Sequence, residues 1–118
     1  MSAYFKDKVV VVTGGTDGIG KALVDALIKS GAKVATCSRN HDNLYTLQAE
    51  YPSVPLHTMV ADVSSENDCR RFMETTIKVF GGIDILINNA GVSMRALLKD
   101  TDTEVIHKVM DINFYGTV

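Results

Sequence analysis

Little in this sequence of 118 residues points toward a metal, a nucleic acid or a membrane. Its two cysteines, Cys37 and Cys69, share no CxxC spacing and have no His or Cys neighbours at metal-ligand intervals, so no zinc site is expected. They read as structural thiols in a reducing compartment. Charge of one sign is nowhere concentrated: 12 basic and 14 acidic residues are spread along the chain for a net charge of −2. No basic run exists to follow a nucleic-acid backbone or an anionic lipid surface, and neither partner is expected. Long hydrophobic runs are missing as well. Met1 to Lys8 lacks the apolar centre of a secretory signal, the next apolar run is only Val9 to Val12, and nothing approaches bilayer length. A cytoplasmic location is the expectation. Only two prolines occur, Pro52 and Pro55, and both mark one loop.

What is present is ordinary globular material, 46% hydrophobic and 22% charged, enough for one domain with a core. Val9 to Val12 is β-branched without alternation, the pattern of a strand buried on both faces of a parallel sheet. It runs into glycines. From Gly18 the spacing becomes helical through Ile19, Ala22, Leu23, Ala26 and Leu27, and Gly31 ends the run. Lys33 to Cys37 is a second strand, Asn40 to Glu50 a polar helix carrying Leu44 and Leu47, and Leu56 to Ala61 a third strand. Asp62-Val63-Ser64 is a turn, and Ser65 opens a helix that should bury Phe72, Met73 and Val79 or Phe80 before Gly81-Gly82. Ile83 to Ile87 is a fourth strand, expected to be left as an apolar edge. Thr101-Asp102-Thr103-Glu104 is a capping box for a last helix with Val105, Ile106, Val109 and Met110. Parallel strands need crossovers, so this strict alternation predicts an α/β fold: a Rossmann-like, doubly wound parallel sheet of strands 1 to 4 with flanking helices.

The chemistry concentrates in Thr13-Gly14-Gly15-Thr16-Asp17-Gly18-Ile19-Gly20. A turn that presses backbone amides against a pyrophosphate excludes β-carbons at the contacts, and the helix beginning near Gly18 aims free N–H groups at the anion. The spacing is Gly-x-x-x-Gly-x-Gly, different from the commoner Gly-x-Gly-x-x-Gly fingerprint. Gly15 to Lys21 also satisfies Gly-x-x-x-x-Gly-Lys of a P-loop, but Ala22 stands where the Mg²⁺-holding hydroxyl belongs and Asp62 is the sole candidate metal aspartate. That alternative is poor. At the end of the second strand stand Ser38 and Arg39 with no Asp or Glu between Ala35 and Asn40. A guanidinium there suits a 2′-phosphate, so NADP is expected over NAD.

With Thr13-Gly14-x-x-x-Gly18-Ile19-Gly20, Asp62-Val63, Asn88-Asn89-Ala90-Gly91 and Asn113 in order, the chain resembles the N-terminal half of a short-chain dehydrogenase/reductase. The resemblance implies a cofactor cradle at Gly14, Thr16, Asp17, Gly18, Ile19 and Gly20, with Ser38 and Arg39 at the adenosine ribose phosphate and Asp62 and Val63 flanking the adenine. Asp17 stands where NADP-preferring relatives often carry a basic residue, and a carboxylate there would cap the helix instead. The resemblance further implies that Asn88 braces the central sheet while Asn89, Ala90 and Gly91 approach the ribose and nicotinamide. Asn113, at helical spacing from Ile106, Val109 and Met110, is either a satisfied structural amide or, as the family implies, the tetrad member that holds a proton-relaying water.

In the family, Ser and Tyr-x-x-x-Lys complete the site. Tyr45, Tyr51 and Tyr115 have no Lys at that spacing, and Tyr4, which pairs with Lys8, precedes the first strand and is rejected. The expectation is therefore that residues 1–118 are the N-terminal part of one dinucleotide-binding domain, truncated before the catalytic segment. The full-length enzyme would transfer hydride between a nicotinamide and a carbonyl or alcohol carbon of a small molecule, as a homo-oligomer, while this chain alone would be inactive. The alternative is a noncatalytic dinucleotide-binding or regulatory module. The substrate is not legible.

Overall fold

A computed structural model describes residues 3–14, 16 and 18–88, and the backbone of 110–113. After a 3₁₀ turn at Ala3–Phe5, the elements are β1 (Val9–Thr13), α1 (Gly18–Lys29), β2 (Lys33–Ser38), α2 (His41–Glu50), β3 (Leu56–Val60), α3 (Glu66–Phe80), β4 (Ile85–Asn88) and β5 (Met110–Asn113). The strands form one sheet in the order β3-β2-β1-β4-β5, every pairing parallel. The sequence therefore folds as the alternating pattern requires, a Rossmann-like sheet with helices on both faces.

All of β1 is buried, and its alternation divides the core. Val10 and Val12 face one way, joining Val34, Leu56, Ile85 and Ile87 beneath Val24 and Leu27 of α1 and Leu47 of α2. Val11 faces the other way, with Ala35, Cys37 and Leu86 beneath Cys69, Phe72 and Met73 of α3. Each helix is bounded by local chemistry. The side chain of Asn40 caps α2 by accepting from the Asn43 amide at 3.1 Å, and Ser65 caps α3 by accepting from the Asp68 amide at 3.2 Å. Gly81 ends α3 at φ 87°, a left-handed conformation that favours glycine.

Two expectations are corrected, and the choice between Val79 and Phe80 is decided. The buried stripe of α1 is Gly20, Val24 and Leu27, while Ile19 and Ala22 face outward. The sheet lies under the side of the helix rotated toward Val24. Phe80 packs partly against the α3 core, but Val79, next along the helix, is exposed. Finally, β4 is not an edge and Met110–Asn113 is not helical: β5 lies along β4 with Ile85 opposite Met110 and Asn88 opposite Asn113. An apolar strand flanked on one side only leaves a row of backbone donors and acceptors open, and pairing with β5 satisfies them. The capping box at Thr101 and the stretch to Val109 lie outside the described residues. Among the described residues, no helix is long and apolar enough to cross a membrane.

Candidate dinucleotide site

Because all strands run parallel, their C-terminal ends share one side of the sheet, and side chains that follow them meet there. β1 ends at Thr13, whose hydroxyl donates to Asn88 Oδ1 at 3.3 Å, so a buried side-chain bond ties β1 to the end of β4. Beyond it the chain turns through Gly14 at φ 68° into α1, which opens at Gly18 with φ 57°. Both angles fall where a Cβ is strained, and open space surrounds the position a Cβ would take on Gly18. The cradle is thus set by backbone conformation rather than by crowding. Ile19 stands exposed in the first turn of α1, an apolar side chain left uncovered beside these amides.

Beside the turn lies an open cavity of about 220 Å³ lined by Gly14, Thr16, Cys37, Ser38, Arg39, Asn43, Ala61 and Val63. Of the residues singled out from sequence, Gly14, Thr16, Ser38, Arg39 and Val63 are brought together here. Gly18, Ile19 and Gly20 follow in α1, and Gly20 is buried against the sheet. Cys37, Asn43 and Ala61 were not foreseen. Cys37 and Ala61 come from the ends of neighbouring strands, and Asn43 is delivered by the turn that caps α2. Asp17, Asn89, Ala90 and Gly91 lie outside the described residues. Asn113 is on β5 rather than on a helix, at the same end of the sheet as Asn88.

The electrostatics fit an anion. Arg39 is exposed, makes no ion pair among the described residues and is the one charged side chain in the cavity lining. Nearby, Asp62 folds its carboxylate back on its own turn, where Oδ1 accepts from the Ser64 hydroxyl at 2.6 Å and the Ser64 amide at 2.9 Å. These bonds, with Arg39 adding a smaller attraction, hold the Asp62 carboxyl below the usual carboxylate range. The turn itself is anchored from α3: the Asp62 amide donates to Asp68 Oδ2 at 2.9 Å, and Asp68 Oδ1 accepts from Arg71 at 2.6 Å. Both contacts lower the Asp68 carboxyl as well, the Asp62 amide most.

Four other side chains are taken out of the chemistry. Burial pushes the Cys37 thiol up to about 12, so it lines the cavity as a neutral wall. Cys69 is free and buried too, its thiol donating to the Val63 carbonyl at 3.4 Å. Lys21, which would be the phosphate lysine of a P-loop, instead reaches Glu50 on α2 at 3.0 Å, and that bond raises its pKa. Tyr4 sits before β1 with the Lys8 ammonium 5.1 Å from its ring centroid, on the opposite side of the sheet from the cavity.

Comparison with known proteins agrees with this geometry. The chain is 34% identical to dehydrogenase/reductase SDR family member 7B of Bos taurus, covering all of this chain and 39% of that protein. It is 38% identical to 11-beta-hydroxysteroid dehydrogenase-like 2 of Arabidopsis thaliana, covering 93% of this chain and 37% of the relative. Among solved structures, an actinorhodin polyketide ketoreductase crystallised with NADPH superposes with a TM-score of 0.68 at 32% identity, over 72% of this chain and 33% of the ketoreductase. The chain thus spans about two fifths of the length of the curated relatives it matches. Residues 8–118 match the short chain dehydrogenase family, and with a glycine turn feeding α1, an arginine after β2 and an aspartate turn after β3 all around one cavity, the chain belongs to it.

Proposed function

We propose that this chain forms the dinucleotide-binding part of an NADP-dependent oxidoreductase that acts on a carbonyl or alcohol group of a small molecule. The observation that carries the reading is the cavity beside Gly14, in which Arg39 is the one charged side chain among the described lining residues. Gly14 and Gly18 present backbone amides to a pyrophosphate, helped by the N-terminus of α1. Ser38 and Arg39 hold the phosphorylated ribose, and Val63 with the Asp62 turn supports the adenine. Asp17, Ile19 and Gly20 complete the cradle, Asn89, Ala90 and Gly91 meet the ribose and nicotinamide, and Asn113 contributes to the proton path at the far end. A bound nicotinamide would donate a hydride to a carbonyl carbon in its reduced form or accept one from an alcohol carbon in its oxidised form.

Titration of the purified chain with NADPH and NADH tests this directly. Tighter NADPH binding is expected, and equal or tighter NADH binding overturns the cofactor assignment. A second reading, a binding or regulatory module without turnover, has one observation in its favour: none of the described residues lining the cavity is a Tyr or a Lys. We favour it for the 118-residue chain by itself. Carbonyl-dependent oxidation of NADPH by that chain would exclude it. We also expect a cytoplasmic protein whose full-length form is a homo-oligomer, which fractionation and light scattering would check.

A further inference from the structure

We propose that Asn43, in the first turn of α2, is a specificity-determining residue that donates a hydrogen bond to the 2′-phosphate of the dinucleotide, an inference that rests on the NADP reading above. Asn43 lines the same cavity as Ser38 and Arg39. Its backbone amide is already committed, donating to the Asn40 cap at 3.1 Å. Its side-chain amide has no hydrogen bond among the described residues, so two N–H donors and a carbonyl are left facing water at the mouth of an otherwise positive cavity.

The local chain fixes where that amide stands. Ser38 Oγ accepts from the Asn40 amide at 3.1 Å, and Asn40 Oδ1 in turn accepts from the Asn43 amide. These two successive turns bring Ser38, Arg39 and Asn43 around one cavity, the Ser38 hydroxyl and the Asn43 amide on short side chains that lose little freedom on binding. Ser38 keeps its hydroxyl proton to donate. The amides of the first turn of α2 add their partial positive charge. A dianion placed there finds one full charge and a ring of neutral donors. Of the described acids close by in the chain, Asp62 is occupied by Ser64, and Asp42 is fully exposed with His41 Nδ1 3.7 Å from its carboxylate. A nucleotide without the 2′-phosphate offers only neutral hydroxyls at that place and draws much less from Asn43.

The test uses two nucleotides that differ by this phosphate, adenosine 2′,5′-bisphosphate and 5′-AMP, titrated calorimetrically into the wild-type chain, Asn43→Ala and Asn43→Asp. For Asn43→Ala, affinity for the bisphosphate is expected to fall about tenfold while that for 5′-AMP changes by less than about twofold. Asn43→Asp should cost the bisphosphate on the order of a hundredfold, because a like charge faces the phosphate. An aspartate in the first turn of a helix favours folding, so that loss cannot come from a melted α2. Unchanged bisphosphate affinity in both variants overturns the proposal. So does an equal loss for both nucleotides, which would make Asn43 a support of cavity shape. A wild-type chain that binds the two nucleotides alike overturns instead the NADP reading beneath it.

Discussion

The N-terminal end of β1 and its C-terminal end are finished in opposite ways. At the first, the Val9 amide donates to Asp84 Oδ2 at 2.8 Å and the Asp84 amide donates back to the Val9 carbonyl at 2.9 Å. Lys33 donates to the Lys8 carbonyl and Asp7 to the Gly31 carbonyl, so the polar backbone there is consumed by the fold. At the second end the chain leaves the sheet through left-handed glycines, and a guanidinium, a hydroxyl and a carboxamide stand around open space. Buried polar groups need partners, and at the N-terminal end of β1 these backbone groups find them in the fold itself. Among the described residues, Arg39 and Asn43 at the second end keep side-chain donors free around the cavity, and that contrast is what the proposed site rests on.

The contrast is sharpest at Gly14. A valine there would have to adopt φ 68° at a cost in strain or move the turn, and moving it displaces the amides proposed to face the pyrophosphate. Gly14→Val should weaken NADPH binding by about two orders of magnitude or more, read by fluorescence titration, since several charge-assisted hydrogen bonds are lost together. Next comes charge. Arg39→Glu should weaken NADPH about 10- to 100-fold while leaving NADH within a few-fold, measured in the same titration. The closed end should respond in the complementary way. Asp84→Ala removes the acceptor for the Val9 amide, costing about 1 kcal/mol by the shift in urea midpoint, with nucleotide affinity unchanged within about twofold. An equal loss of affinity would break the separation of the two ends.

The smallest effect lies away from both ends. His57 on β3 is half-buried against Phe72, with rings 6.2 Å apart, and its Nε2 is 3.0 Å from the Thr75 hydroxyl. Burial holds its pKa below the usual 6.5, so the unfolded chain binds a proton more readily than the folded one. The stability this confers is fully present above pH 6.5 and is lost as the pH falls toward the folded value. His57→Gln, which keeps a partner for Thr75, should flatten the dependence of the urea midpoint between pH 5 and pH 8, about one unit or more on either side of the histidine range.

Most of the fold was legible because its signals are local. β-branched Val9 to Val12, the Asn40 and Ser65 caps and the stops at Gly31 and Gly81 each act within a few residues. What was not legible depends on distant partners. Ile19 continues an apolar helical pattern yet faces outward, because the sheet, not the pattern, selects which side of α1 is covered. Met110–Asn113 continues another, yet pairs with β4. At the site, Gly14, Ser38 and Arg39 were readable from glycine spacing and from their place after strands. Asn43 was not, although Asn40 three residues earlier is a capping signal that places it in the first turn of a helix starting at the same sheet end.

The position of β1 at the middle of the sheet also has a cost during synthesis. It is made before the other strands of this sheet, yet its second neighbour arrives late: Thr13 and its partner Asn88 are separated by 75 positions. At ribosomal speeds of about 5–20 residues per second, Val9 to Val12 therefore wait on the order of 4–15 s with one flank unpaired. No hairpin can shield them in the meantime, since every neighbour in this sheet is parallel and requires a crossover. The same central placement that sets Gly14 beside the cavity leaves those valines open to other apolar segments until β4 emerges.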